Sequence, residues 1–114
     1  MRQYERVPDT FNDATVDLVT QSPDGAAVLL YVVQSQPWTG SDGQLASLQT
    51  KIHNYVGFVL DGQMERTYQD VAGLPWQIVI DCQTGLPDHA TAQVLSYLAE
   101  ALPRYGGSLV IRES

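Results

Sequence analysis

Few side chains in this sequence are able to do chemistry. Cys82 is the only cysteine; Asp81 precedes it and His89 follows seven residues later. A nucleophilic cysteine needs a base, a cation or a helix N-terminus to hold its thiolate. The segment Trp76 to Cys82 alternates as a strand, with Trp76, Ile78, Ile80 and Cys82 on one face and Gln77, Val79 and Asp81 on the other. The thiol therefore sits among apolar neighbours, and a buried, inert cysteine is expected. His53 and His89 are isolated. Metal-binding helices present two ligands at i and i+3 or i+4, whereas the i±4 neighbours of His53 are Gln49 and Gly57. No metal site and no cofactor are expected. The tract Gly40-Ser41-Asp42-Gly43 has neither dinucleotide-loop spacing nor a phosphate-loop lysine. Asp81 and Asp88 come nearest to a carboxylate pair, but a glycosidase needs two acids across a cleft. A chain of 114 residues has little room to build one.

Strand ends offer a better place for a ligand, because open α/β sheets bind beyond the carboxyl ends of their parallel strands. Two loops fall there, Gln34 to Ser41 and Gln83 to Asp88, and each leads into a helix N-terminus whose free N–H groups attract anions. Trp38 can supply an apolar wall, with Asp81, Thr84, Asp88 and His89 as polar contacts. The acids disfavour an anionic ligand and favour a cationic or hydroxyl-rich one. The same residues have plainer work: Asp88 caps a helix, Asp81 solvates a strand end and Trp38 covers the core.

The elements that must position these residues are legible in turn. Val16, Leu18 and Val19 suit a half-buried strand, and Ser22-Pro23-Asp24-Gly25 is a tight turn. Ala26 to Val33 is apolar throughout, a strand covered on both faces and the second arm of a hairpin. Ser41 and Gln44 form a capping box. Leu45, Leu48, Ile52, Tyr55, Val56 and Val59 recur at helical spacing over 42–61, and Gly62 fits the left-handed position that ends a helix. Residues 63–75 have no clear period. After the strand Trp76 to Cys82 comes a second amphipathic helix with Ala90, Val94, Leu95, Leu98 and Leu102 on one stripe, stopped near Pro103. Gly106-Gly107 turns the chain into a short strand, Leu109 to Arg112.

The order β-β-α-β-α-β predicts an α+β fold: a two-layer sandwich on a mixed four-stranded sheet, with right-handed crossovers. Residues 1–14 read as a flexible arm and 15–114 as a single domain. If both crossovers move the same way, both helices lie on one sheet face and the other is left open; one helix on each face is the alternative.

The residues Val16-Asp17, Gly25, Trp38, Leu45, Leu48-Gln49, Lys51-Ile52, Tyr55, Phe58 and Gly62 carry a resemblance. The segment Val16 to Leu102 resembles a family of small uncharacterised bacterial proteins, a domain of unknown function. The most characteristic tract is Leu48-Gln49-Thr50-Lys51-Ile52-His53-Asn54-Tyr55, within a Trp…Leu-Gln-x-Lys-Ile-x-x-Tyr-x-x-Phe pattern. The resemblance implies a compact α+β fold and no assigned activity. Relatives tend to carry an acidic residue between the tryptophan and the helix, a place taken here by Gly40-Ser41-Asp42.

Composition narrows the function classes. Thirteen acidic residues against six basic ones give a net charge of −7. No basic stripe is available for phosphates, so nucleic acid is not an expected partner, and an anionic membrane surface is disfavoured in the same way. A lone cysteine gives no disulfide framework, the stretch from Met1 to Asp13 has no apolar signal core, and the longest apolar run, Ala26 to Val33, is far short of a span. A cytoplasmic protein is expected. With no catalytic constellation and a doubly apolar strand, the leading expectation is a non-enzymatic protein acting through protein–protein contact, as a homodimer or with another protein. A basic partner masked by the negative charge is one version. The alternative is a small-molecule binder or weak enzyme at the strand ends.

Overall fold

The computed structural model describes residues 4–5 and 18–113. The elements are β1 (Tyr4–Glu5), β2 (Leu18–Gln21), β3 (Val28–Gln34), α1 (Asp42–Leu60), α2 (Gln63–Thr67), β4 (Trp76–Cys82), α3 (His89–Ala101) and β5 (Gly107–Glu113), with short 3₁₀ turns at Gln69–Val71 and Leu102–Tyr105. The predicted β-β-α-β-α-β order is the observed one, and β1 adds a two-residue strand at the sheet edge. The arm expected over 1–14 otherwise lies outside the described residues.

The strands lie in sequence order, β1-β2-β3-β4-β5. β1, β2 and β3 pair antiparallel; β3, β4 and β5 pair parallel, in register Val28↔Trp76↔Gly107 through Gln34↔Cys82↔Glu113. The β2–β3 turn is locked by its own polar groups. Gly25 takes φ +73°, Ser22 Oγ donates to Asp24 Oδ1 at 2.6 Å, and Asp24 Oδ1 also accepts from the Ala26 N–H at 3.0 Å.

Both crossovers step the same way along the sheet, so right-handed connections put α1 and α3 on the same face. The core agrees. Val28, Leu30 and Val32 of β3 and Ile78, Ile80 and Cys82 of β4 join Leu48, Ile52 and Tyr55 of α1 and Leu95 of α3 in one buried cluster. The result is two layers. The expectation of an exposed apolar face on the other side is not met. Leu29, Val33 and Val79 point away from the helices yet are 7%, 6% and 0% exposed. Arg112 Nη1 on β5 donates to the Tyr31 hydroxyl on β3 at 3.4 Å, so these two side chains meet over the intervening strand. Below them Gln77 Nε2 donates to Ser108 Oγ at 3.2 Å.

The segment without a clear period packs by tertiary contact. Gly62 (φ +84°) ends α1, and α2 with the 3₁₀ turn after it buries Met64, Tyr68 and Val71 under the core. A five-residue helix has no stability of its own and no room for a period.

Candidate functional site

The parallel strands β3 and β4 end side by side, and both following loops lie over that end. Gln34, the last residue of β3, pairs with Cys82, the last of β4, and the Gln83 N–H extends the ladder to the Gln34 carbonyl at 3.1 Å. Alternation puts Gln34 and Cys82 on the helix-covered face. Gln34 is fully buried, and its Nε2 donates to the Gln36 carbonyl at 2.8 Å. That carbonyl also accepts from Thr84 Oγ1 at 3.2 Å, which ties the second loop to the first.

Each loop closes with a helix cap. Ser41 Oγ accepts from the Gln44 N–H at 3.2 Å. The other half of the expected capping box takes a different form. Gln44 Oε1 reaches past Ser41 to the N–H groups of Thr39 (2.8 Å) and Gly40 (3.2 Å), while the Ser41 N–H donates to Thr39 Oγ1. Asp88 caps α3, accepting from the Thr91 N–H at 3.2 Å and the Thr91 hydroxyl at 2.6 Å. That hydroxyl above all holds the Asp88 carboxyl below the usual carboxylate range, with backbone N–H groups adding to it. The loops touch where Gly40, at φ +68°, faces this carboxylate. A Cβ there would lie 2.5 Å from Asp88 Oδ2, so only glycine fits.

Of the five residues expected at this site, Trp38 and Asp88 come to the strand-end cluster with their side chains engaged. Trp38 is half-buried against the core. Thr84 and His89 are exposed at its rim, Thr84 spending its hydroxyl on the loop and His89 opening α3. Asp81 is not brought there. It alternates with Cys82 and lies on the opposite sheet face, level with Val33 and Arg112.

Cys82 is buried, and burial pushes its thiol up. The indole N–H of Trp38 acts in the other direction, while the carboxylates of Asp81 and Glu113 add to the rise. The thiol is thus protonated at neutral pH and unsuited to nucleophilic work. The Trp38 indole nitrogen lies close enough to the sulfur to act on it but makes no well-formed hydrogen bond. Trp38 Nε1 and Gln34 Oε1 are buried polar atoms without a partner, as is Asp81 Oδ1 on the far face. Among the described residues no group of three or more His, Cys, Asp and Glu converges as metal ligands, and no helix is long and apolar enough to cross a membrane.

The burial of two polar residues was not read from the sequence. Gln34 follows an apolar run and reads as a loop start. Lys51 is fully buried in α1, its Nζ 6.0 Å from the centroid of the Tyr55 ring. The signal was available: Leu48, Lys51, Ile52 and Tyr55 stand at i, i+3, i+4 and i+7, the spacing of the buried stripe.

A second surface is the outer edge of β5. Among the described residues this seven-residue strand is last in the sheet and pairs with β4 alone. Its sequence, Gly-Ser-Leu-Val-Ile-Arg-Glu, has no proline to blunt an edge, and Ile111 is 40% exposed.

Against known proteins, the model of a family described as Family of unknown function (DUF6572) matches residues 10–112. Comparison with curated proteins found no match, and comparison with solved structures found none either.

Proposed function

We propose that this chain, which belongs to the DUF6572 family, is a cytoplasmic protein that works by protein–protein contact through the free edge of β5 and not by catalysis. The observation that carries this reading is the edge itself. A row of backbone N–H and C=O groups that pairs with no described strand, on a regular seven-residue strand, is a template for another strand. Leu29, Val33 and Val79 on the sheet face away from the helices are already buried, so the edge is the better surface. The strand-end chemistry supports a non-catalytic role, because the thiol is buried and protonated and the Asp88 carboxylate is spent on a cap. Sedimentation velocity over a wide concentration range, alone and in cell extract, tests the reading. A sedimentation coefficient above that of the monomer is expected; a strict monomer in both settings contradicts it.

A second reading, a small-molecule site at the strand ends, is favoured by the unpartnered Gln34 Oε1 and Trp38 Nε1 beside each other's loop. A hydroxyl group accepts from an indole N–H and donates to an amide oxygen, the bonds these two atoms lack. Titration with glycerol and with simple sugars, followed through the Trp38 indole N–H resonance, tests it. A saturable shift of that resonance supports the site, and its absence removes it.

A further inference from the structure

We infer that the occupant of the β5 edge is a second copy of this chain, its β5 added antiparallel about a two-fold axis through Val110. This rests on the contact reading above and names the partner. The sequence of β5 is arranged for such a pairing. With the axis at Val110, all seven residues find a partner. Val110 meets Val110 of the second copy, and Leu109 meets Ile111 twice, apolar against apolar on the helix-side face. Arg112 falls opposite Ser108 and Glu113 opposite Gly107, so no like charges are opposed. Moving the axis to Ile111 puts Arg112 against Val110 and Glu113 against Leu109. Moving it to Leu109 leaves Arg112 and Glu113 without partners. The centred register alone satisfies both the backbone and the side chains.

The axis stands perpendicular to the sheet, so the product is one continuous ten-stranded sheet with both helix layers on the same side. α3, which links β4 to β5, is the helix nearest the seam. It carries Tyr97, which is 73% exposed. A stable interface buries roughly 1,200–2,000 Å² in total, more than two paired strands supply, so α3 and its copy complete it. Each chain carries a net charge of −7, so the association strengthens as salt screens the repulsion.

The test uses the full chain with single substitutions and mild oxidation. Opposed residues on the axis lie within disulfide reach. Val110→Cys is expected to cross-link to a covalent dimer, whereas Ser108→Cys, placed four residues from its own copy, does not; the parent chain, with Cys82 buried, gives the background. Ile111→Glu removes two apolar pairs per dimer and weakens association by about 30-fold. Far-ultraviolet circular dichroism checks that this variant keeps its fold, which the exposure of Ile111 favours. Association without Val110→Cys cross-linking, or with equal linking through Ser108→Cys, overturns the seam and leaves the contact reading standing. A parent chain that stays monomeric alone but enters a larger particle in extract also overturns the seam alone. A chain that is monomeric in both settings overturns both.

Discussion

Gly107→Ala is the substitution whose cost the structure fixes most tightly. Gly107 stands opposite Trp76 in the β4–β5 register, and the six-membered ring of the indole lies where a Cβ would point. A methyl group there would lie 2.5 Å from Trp76 Cη2 and Cζ2 and 2.6 Å from Cε2, about 1 Å inside ordinary contact. Gly107 does not have a positive φ, so the cost is steric and not conformational. Relief by the tryptophan is limited, because it is buried in the main cluster. Overpacking of this kind costs about 1–3 kcal/mol, and a rigid ring as the obstacle argues for the upper end. At about 2.1 cal/mol/K per residue, 114 residues unfold with an entropy near 0.24 kcal/mol/K, so ~3 kcal/mol lowers Tm by about 12 °C. Urea and thermal denaturation of the parent and variant measure this directly. The double variant sharpens the test. Trp76→Phe removes the part of the indole that the new methyl meets, so Gly107→Ala should cost much less in that background, with a coupling of about 2 kcal/mol. A Gly107→Ala variant within ~0.5 kcal/mol of the parent, or full additivity of the two substitutions, would refute the packing described.

Three other outcomes follow from the site and the core. Asp88 has a lowered carboxyl pKa in the fold, so its contribution to stability is present above its unfolded pKa and is lost as pH falls through the folded value; the acid-side loss of stability should be smaller in Asp88→Asn, as read by urea midpoints at pH 7 and pH 3. Cys82 should resist a chromogenic thiol reagent at neutral pH and react only as fast as the chain opens, because burial removes access and raises its pKa; rapid stoichiometric reaction of the native protein would contradict this. Lys51→Ala should destabilise by about 2–4 kcal/mol in chemical denaturation, since its whole stem packs in the core stripe of α1, and a neutral result would place Lys51 on the surface.

Local physics made much of the fold readable. The Asp24-Gly25 turn, the Ser41 cap, the left-handed Gly62 and the strand Trp76–Cys82 all announce themselves through backbone chemistry or strict period. What was not readable depended on distant partners. α2 is placed by the packing of Met64, Tyr68 and Val71, and a helix of five residues leaves no period to find. The strand order, and with it the siting of α1 and α3 on one face, is a property of the assembled sheet. The contact from Tyr31 to Arg112 on the other face joins residues 81 apart in sequence. Asp81 is different. Its alternation with Cys82 already assigned it to the face opposite Trp38, so grouping the two at one site set proximity in sequence above the period of the strand. Lys51 was overlooked because a charge at a core position looks like a break in the stripe. Its long apolar stem fills that position.

Amide hydrogen exchange along β5, measured in dilute and in concentrated protein, tests the central claim most directly. The outward-pointing N–H groups between Ser108 and Arg112 have no partner strand among the described residues, and a second strand at the edge would bond them. Their exchange should slow as concentration rises, while the N–H groups that β5 directs at β4 keep the rate of the folded core. Outward amides that exchange equally fast at both concentrations would contradict the claim.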